Sequence, residues 1–175
     1  RKIVNEKNPE LPEAERAKIA EAVGIGAVRY ADLAQNRTSD YQFSWDKLLS
    51  FEGNTAPYML YAVARIHSLF EKMQRTPGDD FGNVTTLQTE GEIALARKLI
   101  QAPHAIALAA ADLRPHYLAT YLYELTGAFS TFYNSERIQG EPADVQNRRL
   151  MLASKTLMTL ETGLNLLGLK TLKRM

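Results

Sequence analysis

The stretch "FEGNTAPYMLYAVARIHSLFEKM" (51–73) decides the fold. Glu52-Gly53-Asn54 makes a compact turn, and Thr55 behind it is a candidate N-cap. Pro57 stands in the first helical turn, where its missing N–H has no partner to lose. Advancing about 100° per residue places Met59, Val63, Ile66, Phe70 and Met73 within roughly 40° of one line. This is the buried stripe of an amphipathic helix over about 56–75. Tyr58, Tyr61, Arg65 and Lys72 lie about 100–160° to one side of that stripe. They form a second face with two flat rings and two cations.

Working outward, the same period recurs. Residues 12–23 open on Pro and acids and are expected to stop at Gly24, with a short second helix over 25–34. "QNRTSDYQFS" (35–44) reads as a loop or short strand, and Trp45–Leu49 as a helical turn. Further helices are expected over 88–101 and 103–112, broken by "LRP" at 113–115. A long helix then reaches Asn134, and the last one, 143–167, stops at Gly168. Leu118, Leu122, Leu125, Phe129 and Phe132 make one core stripe, and Leu150, Leu157, Leu160 and Leu164 another. Long helices joined by short connections make an all-α antiparallel bundle.

Composition narrows the function. The chain of 175 residues is 45% hydrophobic and 23% charged, with room for one ordinary domain, or one domain plus a fragment. It has no cysteine, so disulfides and thiolate metal sites are excluded. No apolar run is long enough to span a bilayer, and a cytoplasmic or organelle-matrix setting is expected, with no membrane partner. The first residue is Arg, as in a chain cut from something longer. A net charge of +1 does not announce nucleic acid, but cations outnumber acids from Ser135 onward.

His67, His104 and His116 are widely separated, and no recognisable metal-site motif gathers around them. Gly24-Ile25-Gly26 lacks the context of a dinucleotide loop, and Asp79-Asp80 reads as a turn. No serine or threonine stands in a recognisable nucleophile motif, so no catalytic residue is assigned. The tyrosine–arginine face remains. Rings that stack on bases beside cations that reach phosphates are what single-stranded nucleic acid recognition uses. The same face would also suit packing on another helix, with hydroxyls at the rim.

A family resemblance chooses between these. "VGIGAVRYADLAQNRTSDYQFSWDKLLSFEGNTAPYMLYAVARI" (23–66) resembles the segment of bacterial-type arginyl-tRNA synthetases that joins the catalytic and anticodon-binding domains. "LRPHYLATYLYELTGAFSTFYN" (113–134) and "ETGLNLLGLKTLKRM" (161–175) resemble the rest of that helical domain. The resemblance implies residues 1–48 as the end of the catalytic domain with its connector, and 49–175 as the helical anticodon-binding domain. It implies a class I enzyme that charges arginine tRNA using ATP with Mg. Neither the HIGH-type nor the KMSK-type ATP motif occurs in this chain, which is therefore expected to hold no cofactor and to be inactive alone. Arginine anticodons mostly carry C at the middle, and the resemblance gives its reading to this face. Phe51, Gly53 and Asn54 would lie under the anticodon, with Tyr58 and Tyr61 stacking or bonding through their hydroxyls. Arg65 would meet a phosphate or base, with Met175 close by. Leu172 stands where the family usually has Pro, and no role passes to Arg137. The competing reading is a helical protein-interaction or small-ligand module without RNA binding.

Overall fold

A computed structural model describes all 175 residues, the Lys7 side chain excepted. The elements in order are α1 (Lys2–Lys7), α2 (Glu13–Leu33), α3 (Trp45–Leu48), α4 (Ala56–Lys72), α5 (Glu90–Leu99), α6 (Ala102–Ala111), α7 (Pro115–Ser135) and α8 (Ala143–Leu166). The central helix is α7, which packs on α2, α4, α5, α6 and α8. Its stripe Leu118, Leu122, Leu125, Phe129 and Phe132 is buried, as are Met59, Val63, Ile66 and Phe70 of α4 and Leu150, Leu157, Leu160 and Leu164 of α8. One continuous core results, and Ile19, Val23 and Tyr30 of α2 belong to it.

Local chemistry sets the helix ends. The Tyr58 backbone N–H donates to Thr55 Oγ1 at 3.3 Å, so Thr55 caps α4, with Pro57 in the first turn. Ser44 caps α3 and Thr89 caps α5 in the same way. At the other end of α8, Gly168 takes φ 73°, and the Leu169 N–H reaches back to the Leu164 carbonyl at 2.9 Å. This is a Schellman stop, which a side-chain-bearing residue adopts only under strain. Leu113, with φ 54°, makes the break between α6 and α7.

One expectation is corrected, and the choice of loop or short strand over 35–44 falls to the loop. α2 runs unbroken through Gly24, where a stop and a second helix were expected. Glycine in a helix interior costs only about 1 kcal/mol, and burial outweighs it. Leu60 of α4 and Leu169 of the tail pack over the buried Gly26, within 3.8 Å of where a Cβ would stand. The stretch 35–44 holds no strand, and there is none among the described residues. Its aromatics Tyr41 and Phe43 are exposed, and no other strand exists to pair with it. α1 is a helix that the sequence pattern did not announce.

Polar contacts tie the helices across the core. Glu92 of α5 is fully buried and accepts from Arg148 Nε at 2.9 Å and Arg149 Nε at 3.0 Å, both of α8. Arg149 also pairs with Glu136 at 2.6 Å. Burial pushes the Glu92 carboxyl up, but the Gln88 N–H and the two guanidiniums outweigh it and hold the carboxyl below its usual value. His67 Nε2 of α4 lies 3.0 Å from Glu161 Oε1 of α8, a partner from another helix rather than from helical spacing. The Asp79 turn accepts from Thr76 and from Arg75, in that order of strength, which lowers its carboxyl to about 2.

Candidate nucleic-acid interface

The loop 50–55 is stitched by its own side chains. The Thr55 hydroxyl donates to the Ser50 carbonyl at 2.6 Å while capping α4, and Gly53 takes φ 78° with open space where a Cβ would go. Asn54 is anchored from α2. The Tyr30 hydroxyl lies 2.7 Å from Asn54 Oδ1 and 2.9 Å from the Ala119 carbonyl. A phenol has one proton, so it can serve only one of these oxygens. Turning the Asn54 amide over lets its Nδ2 donate to the hydroxyl, which is then free to donate to Ala119. Burial, and then nearby Tyr123, push the Tyr30 phenol well above its usual range, so it stays protonated.

The two tyrosines of α4 part company. Tyr58 is half-buried against α7, its ring edge-on to Tyr123 with centroids 5.9 Å apart and its hydroxyl 3.4 Å from Ser130 Oγ. Tyr61 is 45% exposed and stands perpendicular to Phe51, with ring centroids 6.2 Å apart. Packing explains Tyr58; it does not explain Tyr61.

Arg65 follows Tyr61 by one helical turn. Its guanidinium carbon lies 4.6 Å from the centre of the Tyr133 ring and 6.0 Å from that of Tyr61. Stacking on Tyr133 holds the planar fork while leaving its N–H groups undirected toward any carboxylate among the described residues. Around it is a cleft of about 450 Å³, lined also by Ser68, Lys72, Lys173 and Met175. The tail that brings Lys173 and Met175 here is held by Leu169 in the core and by Arg174, which pairs with Glu71 of α4 at 2.9 Å. Tyr61 also borders a second cavity of about 540 Å³, between α1, α2 and the α3–α4 segment.

The structure therefore brings Tyr61, Arg65 and Met175 together, with Phe51 beside Tyr61. Gly53 and Asn54 shape the adjoining turn, and Tyr58 faces the bundle. Tyr133, Lys173 and Tyr30 were missed. Tyr133 falls within about 40° of Phe129 on the α7 wheel, so its position reads as core edge and carries no separate signal. Leu172 packs at the rim of the core. Among the described residues no group of three or more His, Cys, Asp or Glu is placed to hold a metal.

Known proteins resemble this chain over nearly its whole length. Residues 59–175 match the DALR anticodon binding domain, and residues 1–45 match the catalytic domain of class I tRNA synthetases (R). The chain is 49% identical over 173 residues to the arginine–tRNA ligase of Mannheimia succiniciproducens, and 45% identical over 176 residues to that of Escherichia fergusonii. These alignments cover 99% and 100% of the chain, which spans about 30% of the length of each relative. Among solved structures, Thermus thermophilus arginyl-tRNA synthetase superposes with a TM-score of 0.87 at 33% identity, covering 99% of this chain and 30% of that one. The Plasmodium falciparum arginyl-tRNA synthetase gives 0.84 at 28% identity, covering 99% and 31%. With its helices packed as in those enzymes and two thirds of its length matched by one family, the chain belongs to the DALR anticodon-binding domain family, preceded by a stretch of class I tRNA synthetase catalytic domain.

Proposed function

We propose that this chain reads the anticodon of arginine tRNA as one part of an arginine–tRNA ligase. The observation that carries the proposal is Arg65, stacked on Tyr133 and bordered by Tyr61 and Met175 in an open cleft. A base splayed from the anticodon loop would stack against Tyr61 while the guanidinium donates to its acceptor edge or to the adjoining phosphate. Lys72 and Lys173 line the same cleft and would draw the phosphates. Gly53 and Asn54 contribute the shape of the loop, and Phe51 supports the Tyr61 ring. Tyr58 acts here through packing.

The boundary at 48/49 is supported by the two family matches, which leave residues 46–58 between them. The joining segment is not a loose linker, since α2 packs on α4 in one core. The ligase charges its tRNA with arginine using ATP with Mg. That chemistry belongs to the portion of the relatives that this chain does not cover, and the chain carries neither ATP-holding motif. No helix among the described residues is long and apolar enough to cross a membrane, which fits a cytoplasmic enzyme.

Competition binding with purified chain tests the reading. Arginine tRNA should bind more tightly than a tRNA of another identity, and replacing its middle anticodon C should abolish the difference. Affinity should fall linearly with salt on logarithmic axes, with a shallow slope set by few phosphates. Equal affinity for both tRNAs would overturn the proposal.

A further inference from the structure

We propose that the outer face of α6 is a docking surface for a second copy of this chain, the two α6 helices packing antiparallel about a two-fold axis. The inference is independent of the anticodon reading, since the face holds none of the residues named there.

α6 is packed on one side and bare on the other. Of its ten residues only Ala105 is buried, and the helix packs chiefly on α7. Pro103, Ala107, Ala110 and Ala111 face outward and are exposed, flanked by Ile106 and Leu108. Ile100 and Leu113 bracket the helix and are 77% and 69% exposed. His104 aside, α6 carries no acidic or basic side chain. A surface helix ordinarily turns a polar face to water, and a contiguous exposed apolar patch marks an interaction site. Leu113 adds an argument from the backbone. At φ 54° it stands in the left-handed region that glycine would occupy with less strain, and it holds a branched apolar side chain out in solvent.

The charges at the two ends of the face identify the partner. α5 runs on to α6 through Ile100 and Gln101, both in right-handed helical conformation, and both helices pack along α7. Exposed Arg97 therefore stands before the apolar face and exposed Asp112 just after it. Such a face complements itself when turned end for end. Setting Ile100 of one copy against Leu113 of the other also sets Pro103 against Ala110 and Ile106 against Ala107, large beside small. The same register brings each Asp112 within an arginine's length of Arg97 of the other copy. Arg97 is free to move there, because its partner Glu90 is 3.9 Å away and both side chains are largely exposed. Arg114, the like charge beside Asp112, is turned to the Tyr117 hydroxyl at 3.1 Å.

Position leaves the face open to a second copy. Arg37, past the end of α2, donates to the Leu113 carbonyl at 3.2 Å, whereas Arg1 pairs with Glu13 at the start of α2. A helix of 21 residues separates the two ends by about 30 Å. α6 itself is about 15 Å long, and a strip of that length and one helix wide falls below the about 800 Å² per partner of stable complexes. The pairing is therefore weak and reversible.

Sedimentation equilibrium over a rising concentration series tests it. The mass should climb from 19.6 kDa toward twice that value and stop, because a two-fold face closes on itself. Ala107→Glu, at an exposed helical position where glutamate is well tolerated, should hold the mass at one chain. Arg97→Asp and Asp112→Arg should each raise the dissociation constant about tenfold, since each sets like charges together at two places. Combined in one chain, the two changes should restore it to within about twofold. Circular dichroism checks that every variant keeps its helices. A mass that never rises, or that grows beyond two chains, overturns the proposal. So does pairing that survives Ala107→Glu, which would lie on another face, or a double variant that pairs no better than the single ones. The series is repeated with the chain inside a complete ligase. If pairing is lost there, α6 is covered by the rest of that protein, and a second copy is not its partner.

Discussion

Arg148 and Arg149 of α8 lie inside the bundle on the fully buried Glu92, whereas Arg65 of α4 lies on its flank, stacked on the Tyr133 ring. The first pair has its charge met by carboxylates at hydrogen-bond distance, Glu136 included. Arg65 makes no hydrogen bond or ion pair among the described residues. A guanidinium neutralised inside the fold serves to hold helices together, as α5 is held to α8 here. One that is immobilised by stacking but left unpaired is available to a ligand. Burial alone would have suggested the opposite ranking, since buried arginine is the rarer feature.

Breaking the inner pair should give the largest effect. Glu92→Ala leaves two guanidiniums without their shared partner, and chemical denaturation should show a loss of about 3–5 kcal/mol. Anticodon affinity of the protein that remains folded should not change. If stability is unaltered, the inner arginines are not held as described.

Acid should act on the same contrast. The Glu92 carboxyl is held below its usual value, so its contribution is fully present above that value and is lost as pH falls through the lowered one. Asp79 follows the same direction, its share disappearing between its ordinary value of 3.8 and about 2. Acid titration of stability should therefore be shallower in Glu92→Gln than in the native chain. The one ion pair of the Arg65 cleft among the described residues, Glu71 with Arg174, is exposed and does not involve Arg65, so Arg65→Ala should leave the acid profile unchanged.

The two tyrosines of α4 sharpen the comparison on a single helix. Tyr61→Ala should lower tRNA affinity by about 1–3 kcal/mol and barely move the melting temperature. Tyr58→Ala should do the reverse, losing its contacts with Tyr123 and α7. Parallel melting and binding curves decide it, and equal behaviour of the two variants would dissolve the distinction between a packed face and a presented one.

The smallest effect belongs to the brace between α2 and the loop 50–55. Tyr30→Phe removes one hydroxyl and leaves the Ala119 carbonyl with only its bond inside α7, at a cost of about 1 kcal/mol in melting experiments. Asn54 loses its anchor at the same time, so tRNA affinity should fall in step. Once Asn54→Ala is in place, adding Tyr30→Phe should cost no further affinity.

Local regularities carried the helices. Thr55, Pro57, Leu113 and Gly168 mark helix ends because capping, ring closure and left-handed backbone are properties of a residue and its few neighbours. The stripes of α4, α7 and α8 follow from a 3.6-residue period that needs no knowledge of the partner helix. Gly24 misled for a related reason. A glycine readily ends an isolated helix, but α2 is carried past Gly24 by the burial of Gly26 under Leu60 and Leu169.

The candidate site was only half legible. Phe51, Tyr61, Arg65 and Met175 could be singled out from one turn, one helical wheel and a family resemblance. The parting of Tyr58 from Tyr61 could not, since a wheel gives directions and not what stands in them. By itself, then, the sequence determined the helical elements, their caps and their apolar faces, all set by interactions within a few residues. Only the tertiary structure decided that Tyr133, remote in sequence from Arg65, lies under its guanidinium, that Glu92 is buried between two arginines, and that the tail returns to α4. Those pairings join distant segments and depend on how whole helices pack, which no local period encodes.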